Sequence, residues 1–178
     1  SLGIPRIQMP QMRGMPVAGT YAATKKASKS GKVDLSAEFI KHLHDQGISS
    51  SLTEIRASHL RASQNEIVGA RVAQLIKEAK SGSRDLREKP IFVTKSGYVI
   101  DGHHHWAAIV GEGYSKGKDF KIPVYVLDMD IGRALAMANA FTKQAGLAPK
   151  AAGAAAPTVK PSPFKKYFDG YQTKEFCK

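Results

Sequence analysis

Hydrophobic positions along the chain fall into two spacings. Leu35, Phe39, Ile40 and Leu43 recur at helical spacing and predict a helix over 34–46, with Asp34 or Ser36 to cap its start and Gly47 to end it. Ile67, Val68, Val72, Leu75 and Ile76 form one stripe and predict the clearest helix, over 65–81, broken by Ser81-Gly82-Ser83. A third helix is predicted over 131–144, rich in Ala, Met and Leu. Residues 51–60 alternate as a strand followed by a turn, with Leu52, Ile55 and Leu60 as its apolar anchors. Residues 91–94 and 98–100, joined by Lys95-Ser96-Gly97, read as a hairpin, and 121–127 as another strand. After the hairpin, Asp101-Gly102 leads through three histidines into Ala107–Val110 and Gly111, which reads as a strand, a glycine turn and a short helix.

The order of elements predicts an α/β (α+β) domain with a small mixed sheet and flanking helices, over 34–144 with its core in 50–144. Residues 1–33, punctuated by Pro5, Pro10 and Pro16, read as an irregular arm. Residues 145–163 are Ala/Pro-rich without periodicity and read as a linker. The tail, 164–178, carries Phe164, Tyr167, Phe168, Tyr171 and Phe176, which suit a clasp on the domain or a protein partner.

Charge changes this picture by its placement. The net charge of the 178 residues is +12. Residues 1–33 hold Arg6, Arg13, Lys25, Lys26, Lys29 and Lys32 and no acid, whereas the middle of the chain is nearly balanced. Basic arms attract polyanions. The reading therefore assigns nucleic acid, DNA first, to Arg6, Arg13, Lys25 and Lys26, and argues against a cationic groove in the central domain. The single cysteine, Cys177, excludes a disulfide framework, a four-thiolate zinc site and a CxxC redox pair. No apolar run approaches the roughly 20 residues that span a bilayer, and no charged-then-apolar secretory signal opens the chain.

The chemistry concentrates at 98–108, YVIDGHHHWAA. A strand ending in Asp101-Gly102 and feeding a helix presents free N–H groups and the positive dipole end, a ready anion site. His103, His104 and His105 can donate to phosphate, move protons near neutral pH or ligate a metal. Consecutive helical residues point about 100° apart, so the three cannot converge on one point. A second cluster, 60–66, places Gln64 and Glu66 at or before a helix start, where Ser63 or Asn65 can cap and Glu66 complements the dipole. His59 reads as a turn residue, and His42 and His44, two apart, as surface or packing residues.

The sequence of strand, LRASQNE, helix, hairpin, DGHHHWAA, strand and helix resembles the ParB/sulfiredoxin superfamily over about 50–144, and most of all the ParB-like nuclease domains of phage and mobile-element proteins. The resemblance implies that the glycine-led turn holds phosphate, with Asp101, Gly102, His105 and Gln64 as its residues. It puts His103 at the sulfiredoxin nucleophile cysteine, so sulfiredoxin activity is not expected. His105 replaces the family arginine, and His104 matches the retained histidine. Catalysis is accordingly expected at His104, with His103 and Glu66, and Glu66 is expected to share a pocket with 101–105. Partition proteins carry a helix-turn-helix after this module; here one helix precedes the linker, so a partition role is not expected. The opening GIPRIQMPQ resembles segments that precede such domains in phage head-associated or toxin-like proteins.

Three functions follow as expectations. The first is a nuclease that hydrolyses phosphodiesters, with Mg2+ or another divalent cation to hold the phosphate and the metal residues unknown. The second resembles free serine kinases: a phosphotransferase that uses ATP or CTP, with Glu66 as base. The third is a non-catalytic virion or assembly module. The expected setting is cytoplasmic, or a host cell into which a larger phage or toxin protein delivers the domain, and no membrane partner is expected.

Overall fold

A computed structural model describes residues 1–149. The 164–178 tail, Cys177 and most of the linker lie outside the described residues. The fold is mixed α/β. Its main sheet contains β3 (Ser50–Arg56), β4 (Ile91–Thr94), β5 (Val99–Asp101) and β6 (Lys121–Leu127), in the order β3-β6-β4-β5. Strand β4 runs parallel to β6 and antiparallel to β5, and β3 runs antiparallel to β6. The parallel pair is joined through helix α3 (His103–Lys116). Helices α1 (Ser36–Asp45), α2 (Gly69–Lys80) and α4 (Ile131–Ala145) complete the described domain. A two-stranded sheet pairs β1 (Arg13–Gly14) with β2 (Val33–Asp34).

The period of two along each strand divides the core between the two faces of the sheet. Ile91, Val93, Val99, Ile122 and Val124 pack on one face with Val72 and Leu75 of α2 and Trp106, Ala107 and Val110 of α3. Phe92, Ile100 and Leu127 pack on the other with Phe39 and Leu43 of α1 and Ala134 and Ala138 of α4. Covered on both faces, β4 is buried throughout, which is why IFVT reads as a continuous apolar run rather than an alternating one. The hairpin turn falls at 95–98 as its sequence requires, with Gly97 at φ 84°. Helix α1 stops before Gly47 at φ 73°, and the Asp34 carboxylate accepts the Ser36 N–H at 3.0 Å.

Four expectations are corrected. Helix α2 starts at Gly69, not Asn65. The stretch before it is held extended by pairing: Arg61 bridges Tyr98, and Gln64 bridges Ile4. Leu52 is no anchor; it is 61% exposed, because β3 is the edge strand. Helix α3 runs past Gly111 to Lys116, where Gly113 lets the helix close on the Lys118 carbonyl. The segment 1–33 has only short elements, yet it is part of the domain. Met9, Met12, Ala22 and Val33 are buried, and Leu2, Ile4 and Asn65 form main-chain hydrogen bonds along the 62–65 segment. The chain after α4 also packs, with Leu147 buried against Pro16. Among the described residues no helix is long and apolar enough to cross a membrane.

Candidate functional site

The site is built on the turn from β5 to α3. Gly102 caps α3 with φ 104°, and a Cβ there would stand 2.3 Å from Ile91 Cγ2. Only glycine meets both conditions. The Asp101 carboxylate accepts the Met12 N–H at 3.0 Å, which fastens the N-terminal segment to the tip of the sheet. The Trp106 indole N–H donates to the Ala57 carbonyl at 2.8 Å and fixes the roll of α3 on the sheet.

The three histidines divide their tasks, as the helical rotation requires. His103 is 2% exposed, and its Nε2 accepts the N–H groups of Ser63 (3.3 Å) and Gln64 (3.2 Å). The Ser63 hydroxyl donates to the Val99 carbonyl, so the backbone N–H groups are the donors to the ring. His104 Nε2 accepts the Val68 N–H at 3.1 Å and so satisfies the N-cap residue of α2. Both rings therefore present a lone pair to backbone N–H groups of 63–68. Glu66, half-buried, lies within that stretch, and its carbonyl accepts the Gln64 side-chain amide. The 63–68 backbone and the histidine turn thus meet through main-chain N–H groups. Gln64 is fully buried, with its amide committed to Glu66 and its Oε1 without a hydrogen-bond partner.

His105 takes the third direction. Burial, together with the positive charges of Arg84, Arg71, Arg13 and Lys89, lowers its pKa to about 4. Arg71, in the first turn of α2, is itself lowered, by burial first and then by Arg84 and Arg13. Geometry explains the convergence. The His104–Val68 bond brings the start of α2, and with it Arg71, beside the turn. The Asp101–Met12 bond brings Arg13. Arg13 pairs in register with Asp34, whose carboxylate lies 3.4 Å from Lys89 Nζ. Arg84 Nε lies 3.2 Å from the Glu78 carboxylate. Four cations, two of them beside a carboxylate of their own, therefore act through their charge on a neutral imidazole at a helix start, an arrangement suited to an anion.

Of the four basic residues assigned to the arm, the structure brings only Arg13 to this site. Lys25 is engaged by Glu38, Lys26 is exposed, and Arg6 is half-buried with Nε enclosed. Arg71, Arg84 and Lys89 were not legible as site residues. They come from the stretch whose charge balances overall, and nothing in their local sequence marks them. His42 packs against Phe141 with ring centroids 5.3 Å apart, and His44 is exposed.

The Asp101 carboxylate and the Nε2 atoms of His103 and His104 already accept N–H groups, and four cations act through their charge on His105. Among the described residues no group of three or more His, Cys, Asp or Glu side chains is gathered for a metal. The phosphates of a nucleotide or of nucleic acid suit the charge of the site. The chain matches no protein-family model, no curated protein and no solved structure.

Proposed function

We propose that the domain binds nucleic-acid phosphodiesters at the start of α3 and hydrolyses them. The observation that supports this reading is the positive charge of Arg13, Arg71, Arg84 and Lys89 acting on His105, a half-buried imidazole held neutral at the glycine-led turn. The cations hold the phosphate and stabilise the charge that grows on its oxygens. His105 takes a proton from water as the water oxygen bonds to phosphorus, and the bond to the leaving oxygen breaks, that oxygen taking a proton from solvent. The bound anion offsets the surrounding positive charge and makes His105 a stronger base when substrate is present. His103 and His104 act as positioning residues that hold 63–68 against the turn. This moves the acid–base role from His104, the expectation from resemblance, to His105. A protein of this kind works where nucleic acid is exposed, in the cytoplasm or in a host cell that receives it.

The test is incubation of the full chain with supercoiled plasmid and, separately, with labelled ATP or CTP, with and without Mg2+. Nicking that is lost in His105→Gln and Arg71→Gln, both folded, supports the proposal. Nucleotide turnover without nicking overturns it in favour of the phosphotransferase with Glu66 as base. Neither activity overturns it in favour of a non-catalytic assembly module.

A further inference from the structure

Among the described residues, the outer edge of the main sheet carries no further strand. Strand β3 pairs with β6 in an unbroken register of seven residues, and no described strand lies on its other side. The Ala57 N–H reaches the Phe120 carbonyl at 2.9 Å, and the Ser49 carbonyl accepts the Asp128 N–H at 3.0 Å. Odd-numbered positions of β3 therefore turn their main-chain groups toward β6. Those of Ser50, Leu52, Glu54 and Arg56 point outward. The strand has no lysine, no proline and no bulge, and of the usual guards of an edge it carries only the charges of Glu54 and Arg56. Leu52 is 61% exposed, and Ser51 through Glu54 are all exposed. Glu54 and Arg56, on one face of the strand, enter none of the described ion pairs.

We propose that β3 pairs antiparallel with β3 of a second copy of this chain, across a two-fold axis beside Ile55. The spacing of the charges selects this occupant. With Ile55 opposite the partner's Ile55, Glu54 stands opposite the partner's Arg56, and the same pair repeats across the axis. Both positions carry outward main-chain groups, so the register also places hydrogen-bonding residues opposite one another. In this register Glu54, Ile55 and Arg56 of the two copies overlap, since β3 ends at Arg56 and 57–59 form a turn, and the two sheets join at that short overlap into one of eight strands. The surface lies on the strand farthest from β5 in the sheet order, and the proposal does not depend on the activity at the β5–α3 turn.

Sedimentation equilibrium on the full chain tests this. The expected result is a concentration-dependent dimer. Glu54→Arg and Arg56→Glu should each raise its dissociation constant by about 10-fold or more, because each reversal sets two like-charge pairs face to face. The combined exchange, Glu54→Arg with Arg56→Glu, should restore the wild-type constant. Both side chains are exposed, and far-UV circular dichroism checks that every variant is folded. A chain that stays monomeric up to about 1 mM overturns the proposal, since an open edge is then kept for another protein or covered from within. A dimer indifferent to the single reversals, or not restored by the exchange, overturns it as well.

Discussion

His104 Nε2 accepts the backbone N–H of Val68 at 3.1 Å, so a side chain in the first turn of α3 supports the first turn of α2. A histidine expected to do chemistry thereby becomes the peg between the two helices that carry the site. His104→Ala leaves the Val68 donor without its acceptor and should cost about 1–2 kcal/mol in urea unfolding. His103→Ala strands two N–H groups at a buried position and should cost more, about 2–4 kcal/mol. Equal stability of both variants and wild type would remove the pegging role.

Gly102→Ala combines a positive φ with a Cβ driven onto Ile91. It should cost about 2–4 kcal/mol by thermal unfolding. Adding Ile91→Val, which trims the side chain but leaves Cγ2 in place, should recover little. Recovery to wild-type stability would place the cost elsewhere.

His105 titrates at about 4 in the fold, against about 6.5 in an unfolded chain. The unfolded state therefore binds the proton first. The contribution of His105 to stability is intact above pH 6.5 and is lost as the pH falls from 6.5 through 4. The loss should reach about 2–3 kcal/mol. Urea unfolding of wild type and His105→Gln, compared across that range, isolates it from the carboxylates, which titrate in both proteins. Parallel curves would contradict the assignment.

Arg84 is the first of the four charges that bear on His105. Arg84→Gln should raise the imidazole pKa toward its ordinary value, as should inorganic phosphate added to the wild type. Nitrogen chemical shifts of the ring, followed through pH, report both. A pKa indifferent to phosphate would show that the anion binds away from this ring.

Deletion of 1–33 should do more than weaken nucleic-acid binding. Met9, Met12 and Val33 are each 3% exposed or less, and burial of each such side chain stabilises by about 1.5–3 kcal/mol. The truncated chain should lose several kcal/mol or fail to unfold cooperatively in urea. Wild-type stability without these residues would return the segment to the status of a detachable arm.

Local pattern determined much of the fold. The stripe Phe39–Leu43, the hairpin 91–100 with its glycine turn, the strand 121–127 and the helix from Ile131 are each written in a few neighbouring residues. Side-chain period and turn stereochemistry act over that range. The DGHHHWAA turn was legible for the same reason: Asp101-Gly102 after an apolar strand leaves few other paths for the backbone. Three matters needed the tertiary structure. The start of α2 was displaced to Gly69 because pairing of 61–65 with Tyr98 and Ile4 outweighs local helical preference. The burial of residues 1–33 depends on contacts with β5, α4 and the 62–65 segment, far away in sequence. The roles of the three histidines were decided by what each ring meets: backbone N–H groups for His103 and His104, and for His105 four cations drawn from β1, α2 and the 84–89 loop. Spacing along one helix sets the direction of each ring. Only the folded chain sets what lies in that direction, because hydrogen bonds and Coulomb fields depend on distance in space and not on distance along the sequence.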